Sequence, residues 1–236
     1  LRDARDVLWH ASSAGLYRLG RDGATRIAGV PLRTLLRDRS GRIWAGGPHG
    51  LYLLQDQRTL LPVWPKAGEP GGEIRALAEG PDGRLWFSVG GAGLQRFDPR
   101  TGATVALRHD PALAGSLPEN GLNALLVDRA GLLWVGGQLH GVSMADARGT
   151  RFRYLTDVAA STATPMGTSV RAIQQTRDGR LWLGTDDARL LRCDASGGFT
   201  DFSALLPIGP DGRHPRLMAL ADAADGRPWA ATSIGL

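Results

Sequence analysis

The chain has 236 residues, 42% of them hydrophobic and 22% charged, with a net charge of +5. That is the composition of a globular chain, and no uninterrupted apolar run approaches the ~18 residues of a membrane helix. Cys193 is the only cysteine, which excludes an intrachain disulfide and a cysteine-rich metal site. The basic residues are all arginine except Lys66 and are scattered rather than blocked, so no nucleic-acid partner is expected.

Tryptophan sets a period. Trp9, Trp44, Trp86, Trp134, Trp182 and Trp229 are spaced by 35, 42, 48, 48 and 47 residues, which divides the chain into units near 1–30, 31–72, 73–120, 121–168, 169–215 and 216–236, the last incomplete. The first unit shows Trp9 and then Gly15-Leu16. The second shows Ser40-Gly41, Ile43-Trp44-Ala45 and Gly50-Leu51. The third is the clearest: strand A near Ile74 to Ala78, an Asp82-Gly83 turn, strand B near Leu85 to Ser88, strand C near Leu94 to Phe97 and strand D near Thr104 to Leu107. The fourth repeats this with Ala130-Gly131, Leu133-Trp134-Val135 and Gly141-Val142. The fifth has Asp178-Gly179 and Leu181-Trp182-Leu183, but Ala188-Arg189-Leu190 replaces Gly-Leu, so its B–C turn should differ in shape. The sixth has Asp225-Gly226, Trp229 and Gly235-Leu236.

Asp-Gly between short apolar runs is a hairpin signal, because glycine accepts the positive φ of the turn. The runs are too short for stable helices. They are apolar on consecutive positions, so both faces of each small sheet need cover. A sheet packed between two neighbours of its own kind has that cover, and repeating it about an axis gives an all-β β-propeller of four-stranded antiparallel blades. The repeat tryptophans are then packing between blades. Because the chain opens and closes inside a unit, it is expected to be part of a larger propeller, with an exposed blade face if made alone.

The segment Ser116-Leu117-Pro118-Glu119-Asn120-Gly121-Leu122 through Leu133-Trp134-Val135-Gly136-Gly137 resembles the two-component regulator propeller repeat, as does Val170-Arg171-Ala172-Ile173 through Leu181-Trp182-Leu183-Gly184-Thr185. The resemblance implies a periplasmic sensor propeller of an inner-membrane receptor, followed by a membrane helix and a histidine kinase or diguanylate cyclase output module. Its ligand would be a small molecule or oligosaccharide, and the segment itself would not be an enzyme. Two alternatives stand beside it: a scaffold for protein contacts or a homodimer, and a lyase of the streptogramin-inactivating type, which also uses units like Asp82-Gly83-Arg84-Leu85-Trp86-Phe87.

In an antiparallel blade the A–B and C–D turns share one end, while the B–C turns and D–A crossings share the other. The crossings are the longer and more irregular, near Pro62 to Glu73, His109 to Gly121, Asp157 to Ser169 and Pro207 to Pro215. Recognition belongs on such loops. The candidate ligand-binding residues there are His49, Gln138, His140, Asp186 and Asp187 in B–C turns, and Trp64, the tryptophan outside the repeat frame. At the opposite end Arg42, Arg84, Arg180 and Arg227 should form part of a ring, neutralised in three units by Asp82, Asp178 and Asp225. No phosphate loop, dinucleotide fingerprint, nucleophile elbow or zinc motif is present, so no cofactor, metal or catalytic set is expected.

Overall fold

The computed structural model describes the whole chain except residues 22, 155–168, 194–197, 211, 213, 224–226 and 236. It is all-β, and its sheets follow the chain order. Two compact units divide at residue 107. In the first unit, β1 (Leu8–Ser12), β2 (Gly15–Gly20) and β3 (Gly23–Ala28) form one sheet. The second sheet joins β4 (Thr34–Arg37), β5 (Ile43–Gly47), β6 (Gly50–Gln55) and β7 (Thr59–Trp64). A third joins β8 (Ile74–Glu79), β9 (Leu85–Val89), β10 (Gly93–Asp98) and β11 (Ala103–Leu107).

The second unit repeats the scheme. One sheet contains β12 (Leu122–Val127), β13 (Leu132–Gly137), β14 (Val142–Asp146) and β15 (Arg153–Tyr154). The next contains β16 (Val170–Gln175), β17 (Leu181–Thr185), β18 (Leu190–Cys193) and β19 (Phe199–Asp201). A last hairpin pairs β20 (Leu217–Asp222) with β21 (Pro228–Thr232). Every neighbouring pair is antiparallel, so the order within each full sheet is A-B-C-D, the blade of a β-propeller. In the first sheet an isolated bridge from Arg2 to Leu8 stands where strand A would pair.

Strand B is buried along its whole length in the second, third and fifth sheets, as consecutive apolar residues require when both faces are covered. The cover comes from the adjacent sheet. Trp44 meets Phe97 edge to face, with centroids 6.0 Å apart, in a core shared by the second and third sheets. The fourth and fifth sheets share a core around Trp134, Val170 and Leu183 in the same way. Trp229 departs from the expected packing role: it is 57% exposed, because no described sheet follows β21 to cover it.

The indole nitrogens of the first five repeat tryptophans fall into two sets. Trp9, Trp44 and Trp134 donate to Asp3, Asp38 and Asp128, six residues earlier, at 3.0, 2.8 and 2.8 Å. The same carboxylates accept backbone N–H groups of the A–B turn, such as Ala130 and Leu132 on Asp128. One aspartate thus closes the hairpin and satisfies the buried indole. In the third and fifth sheets this position is Gly80 or Thr176, and the indole nitrogens of Trp86 and Trp182 are buried without a hydrogen bond. There the hairpin is closed from two residues further on, by Asp82 and Asp178, which accept from the Arg84 and Arg180 amides.

The Gly-Leu that opens strand C has a steric cause. Gly50 has φ +127, and a Cβ there would lie 2.1 Å from the carbonyl oxygen of Trp64 at the end of strand D. Gly15 repeats this against Ala28, at 2.0 Å. The fifth sheet lacks the glycine, and Ala188 takes the positive φ of 66° in its B–C turn. The turn there does differ, as the departure from Gly-Leu predicts.

Candidate functional site

The antiparallel order puts the A–B turns at one end of each blade and the B–C turns with the D–A crossings at the other. At the A–B end the arginines are spoken for. Arg42 pairs with Asp38 at 2.6 Å, Arg84 with Asp82 at 2.8 Å and Arg180 with Asp178 at 2.9 Å. Asp225, expected to neutralise Arg227, lies outside the described residues. Adjacent blades are also tied together there. The Arg39 amide donates to Glu79 at 2.8 Å, the Arg129 amide to Gln175 at 3.0 Å and the Arg177 amide to Asp222 at 3.3 Å. In each case the acceptor is the last residue of the next strand A, which makes this end a structural seam.

The opposite end of the second unit is open. A cleft of about 760 Å³ lies between the B–C turn of the fifth sheet, the crossing into the sixth, and the β21 end at Ser233 and Ile234. Asp186, Asp187, Arg189, Asp201, Ser203, His214 and Arg216 are among the residues that line it. Asp187 accepts from the Thr185 hydroxyl at 2.5 Å and lies 3.5 Å from the Arg189 guanidinium. Asp186 takes a 2.9 Å hydrogen bond from Arg171 and lies 3.9 Å from Arg216. Asp201 accepts from the Ser203 amide at 2.7 Å and from its hydroxyl. His214 lies with Nδ1 3.3 Å from the Pro207 carbonyl, which holds the crossing against itself.

Why Arg171 reaches Asp186 is a matter of register. The pairing of β16 with β17 slips between Val170 and Ala172, so Arg171 is the extra residue of a bulge. A bulge re-aims a side chain that regular pleating would send elsewhere. The same slip occurs between Leu122 and Ala124, at Asn123. Asn123 donates to the Ser169 hydroxyl at 3.0 Å and accepts from Gln138 at 3.3 Å.

The sequence candidates therefore separate. Asp186 and Asp187 come together in the cleft. Gln138 joins the Asn123 network, and His140 sits on Glu119, with Nδ1 3.4 Å from the carboxylate. Glu119 is buried and accepts the amides of Leu139 and His140 at 2.9 and 2.7 Å, so it fixes the shape of that turn. Gly137 makes room for it, since a Cβ there would fall 2.1 Å from the Glu119 oxygen. His49 is exposed in its B–C turn in the first unit.

Trp64 corrects its reading as a ligand-binding residue of a crossing loop. It ends β7 rather than lying in a loop, is 6% exposed, and packs on Phe87 with centroids 5.0 Å apart. Accordingly the crossing begins at Pro65, not Pro62. Also in the first unit, Glu73 is held between Arg33 and Arg75, the latter at 2.8 Å. Burial opposes its ionisation, and the two arginines overcome that and leave its carboxyl below the usual range.

Arg189, Asp201, Ser203 and Arg216 were not legible as site residues. Only the Gly-Leu departure at Ala188-Arg189 and the length of the crossing at Pro207 to Pro215 pointed to this corner. The crossing from Asp157 to Ser169 lies outside the described residues up to 168.

Comparison with known proteins gives likenesses of sequence at two segments and of fold over the chain. The two component regulator propeller model matches residues 68–91 and 165–187. No curated protein matches the chain. The extracellular domain assigned to the hybrid two component system BT4673 of B. thetaiotaomicron superposes with a TM-score of 0.80 at 15% identity, over 98% of this chain and 30% of that one. The corresponding domain of BT3049 from the same organism gives 0.78 at 16%, over 100% and 32%. Virginiamycin B lyase from Staphylococcus aureus gives 0.71 at 17%, over 100% and 80%. The chain thus spans about a third of the length of those two extracellular domains, and likeness at this identity is likeness of fold. In sequence, the chain is similar to the two component regulator propeller at residues 68–91 and 165–187.

Proposed function

We propose that this chain is the sensing propeller of a bacterial signal-transduction receptor, located outside the cytoplasmic membrane, and that it binds a small polar molecule or oligosaccharide at the B–C and D–A end. The observation that carries this reading is the cleft of about 760 Å³ in the second unit, within the size range of small-molecule sites. Its lining offers carboxylates, guanidinium groups and a hydroxyl, which suit a ligand rich in hydrogen-bonding groups. The family repeats and the fold shared with extracellular domains of two component systems support a sensor over a lyase. A membrane helix, a cytoplasmic output module and a homodimer belong to the parent receptor in this proposal.

The test is a thermal-shift screen of the chain against oligosaccharides, peptides, small metabolites and divalent ions. A ligand of the native state at 100 times its Kd stabilises by about 2.7 kcal/mol, a shift of several degrees. A dose-dependent shift that Asp187→Ala abolishes supports the reading. Shifts that ignore that substitution, or none across the panel, move the function to protein contacts.

A further inference from the structure

The outer strands of the first unit differ in how their free edges are defended. A strand at the end of a sheet leaves a row of backbone N–H and C=O groups without a partner strand, and proteins blunt such edges with charge, proline or a bulge. β3 carries Arg26 and a bulge at Ile27, where its register to β2 slips. β7 carries Pro62, which has no N–H to offer, and a bulge at Val63. β11 has none of these. Its five residues, Ala103-Thr104-Val105-Ala106-Leu107, are uncharged and free of proline, and they pair with β10 without a shift. β11 ends its sheet, and among the described residues no strand lies on its other side. Ala103, Val105 and Ala106 are exposed, Val105 by 47%. The Ala103 amide meets the Thr101 hydroxyl at 3.2 Å, and beyond Ala103 the edge is open among the described residues.

We infer that β11 is the surface through which two copies of this chain pair, edge to edge and antiparallel. An antiparallel pair of identical strands is self-complementary, as a two-fold interface requires. With the axis at Val105, Val105 meets Val105, Thr104 meets Ala106 and Ala103 meets Leu107. This register pairs all five residues, sets no like charges opposite one another and places a β-branched side chain against its own copy. It joins the two four-stranded sheets into one. A single short edge buries less than the roughly 1,600 Å² of a standard interface, so the pair is weak, with a Kd on the order of 10 µM to 1 mM. The pairing rests on the proposed receptor being a homodimer.

Sedimentation equilibrium of the chain up to about 1 mM should show a monomer–dimer equilibrium. Val105→Lys puts two like charges on the axis and should weaken association about tenfold or more, while circular dichroism melts show that the variant is folded. Cross-linking reads the register. Cys193, the only cysteine, is first replaced by serine. Opposed Cβ atoms lie about 4.5–5.5 Å apart, so Val105→Cys should give a covalent dimer on oxidation with copper phenanthroline. Ala103→Cys should not, because its opposite residue is Leu107. Equal cross-linking at both positions overturns the register and the inference with it. A dimer that Val105→Lys leaves unchanged is formed elsewhere, so the edge pairing falls and the homodimer stands. A chain that stays monomeric at about 1 mM overturns both the second copy as the partner of β11 and a homodimer formed by this chain. Ligand sensing is decided separately, by the thermal-shift screen.

Discussion

Trp86 and Trp134 occupy the same place in their blades and differ in one hydrogen bond. Trp134 donates to Asp128, whereas Trp86 keeps a buried N–H without an acceptor because residue 80 is glycine. An unsatisfied buried donor costs about 1–3 kcal/mol. A Cβ on Gly80 would lie 3.3 Å from the Trp86 nitrogen, and its closest contact is the Asp82 side chain at 2.9 Å. The double change Gly80→Asp with Asp82→Ser copies the Asp38-to-Gly41 turn of the second sheet. It should raise stability by about 1 kcal/mol in urea unfolding. Unchanged or lower stability would mean that the Asp–indole pair is not transferable. Tryptophan position decides the size of loss as well. Trp134→Ala should cost about 3–5 kcal/mol, since it empties a packed core between two sheets. Trp229→Ala should cost less than about 1 kcal/mol, because the ring is largely in solvent.

At the scale of the element, the B–C turn of the fourth sheet is organised by a residue from another loop. Glu119 accepts two amides of the turn, and His140 adds a contact to the same carboxylate. Glu119→Ala removes both acceptors and should destabilise by about 1–3 kcal/mol, with faster hydrogen exchange at Leu139 and His140. The pair His49→Ala and His140→Ala should leave the fold intact, because these rings are exposed or half-exposed and the turn is held by Glu119. Loss of the thermal transition in that pair would make the histidines structural. The Leu-Pro-Glu-Asn lead-in was visible as a repeat signature, yet the job of its glutamate was not. The contact spans 20 residues to Leu139 and depends on Gly137 leaving space.

For the whole molecule, acid stability follows from the carboxylates. Asp3 is lowered although burial opposes it, through hydrogen bonds from the Trp9 indole and the Val7 and Arg5 amides. Glu73 is lowered by Arg75 and Arg33 against the same opposition. Asp98 is lowered chiefly by the Arg100 amide, and Asp178 by the Thr176 hydroxyl. A carboxyl with a depressed native pKa stabilises the fold above its unfolded value, and this is lost as pH falls through the native one. Stability should therefore be flat from neutral down to about pH 5 and fall below about pH 4. Among the described residues, Asp3, Glu73 and Asp98 lie in the first unit and Asp178 in the second. Hydrogen exchange at falling pH should accordingly speed up first within residues 1–107. Earlier opening of the second unit would contradict this assignment.

By itself the sequence determined the period, the strand order and the blade, because these depend on local chemistry. Asp-Gly turns, apolar triplets around tryptophan and Gly-Leu at strand C each act over a few residues, and their recurrence repeats the same answer. What only the tertiary structure decided was which polar residues meet. Asp186 and Arg216 are 30 positions apart, and Arg171 reaches Asp186 through a bulge that pleat alternation does not foretell. Trp64 was misread for the same reason. Its neighbours in sequence are two prolines and a valine, but its environment is Phe87 on the next sheet. Short-range patterns specify strands, turns and the aspartate–arginine pairs of the A–B turns, whereas burial and the longer-range polar pairs are set by contacts that no local pattern encodes.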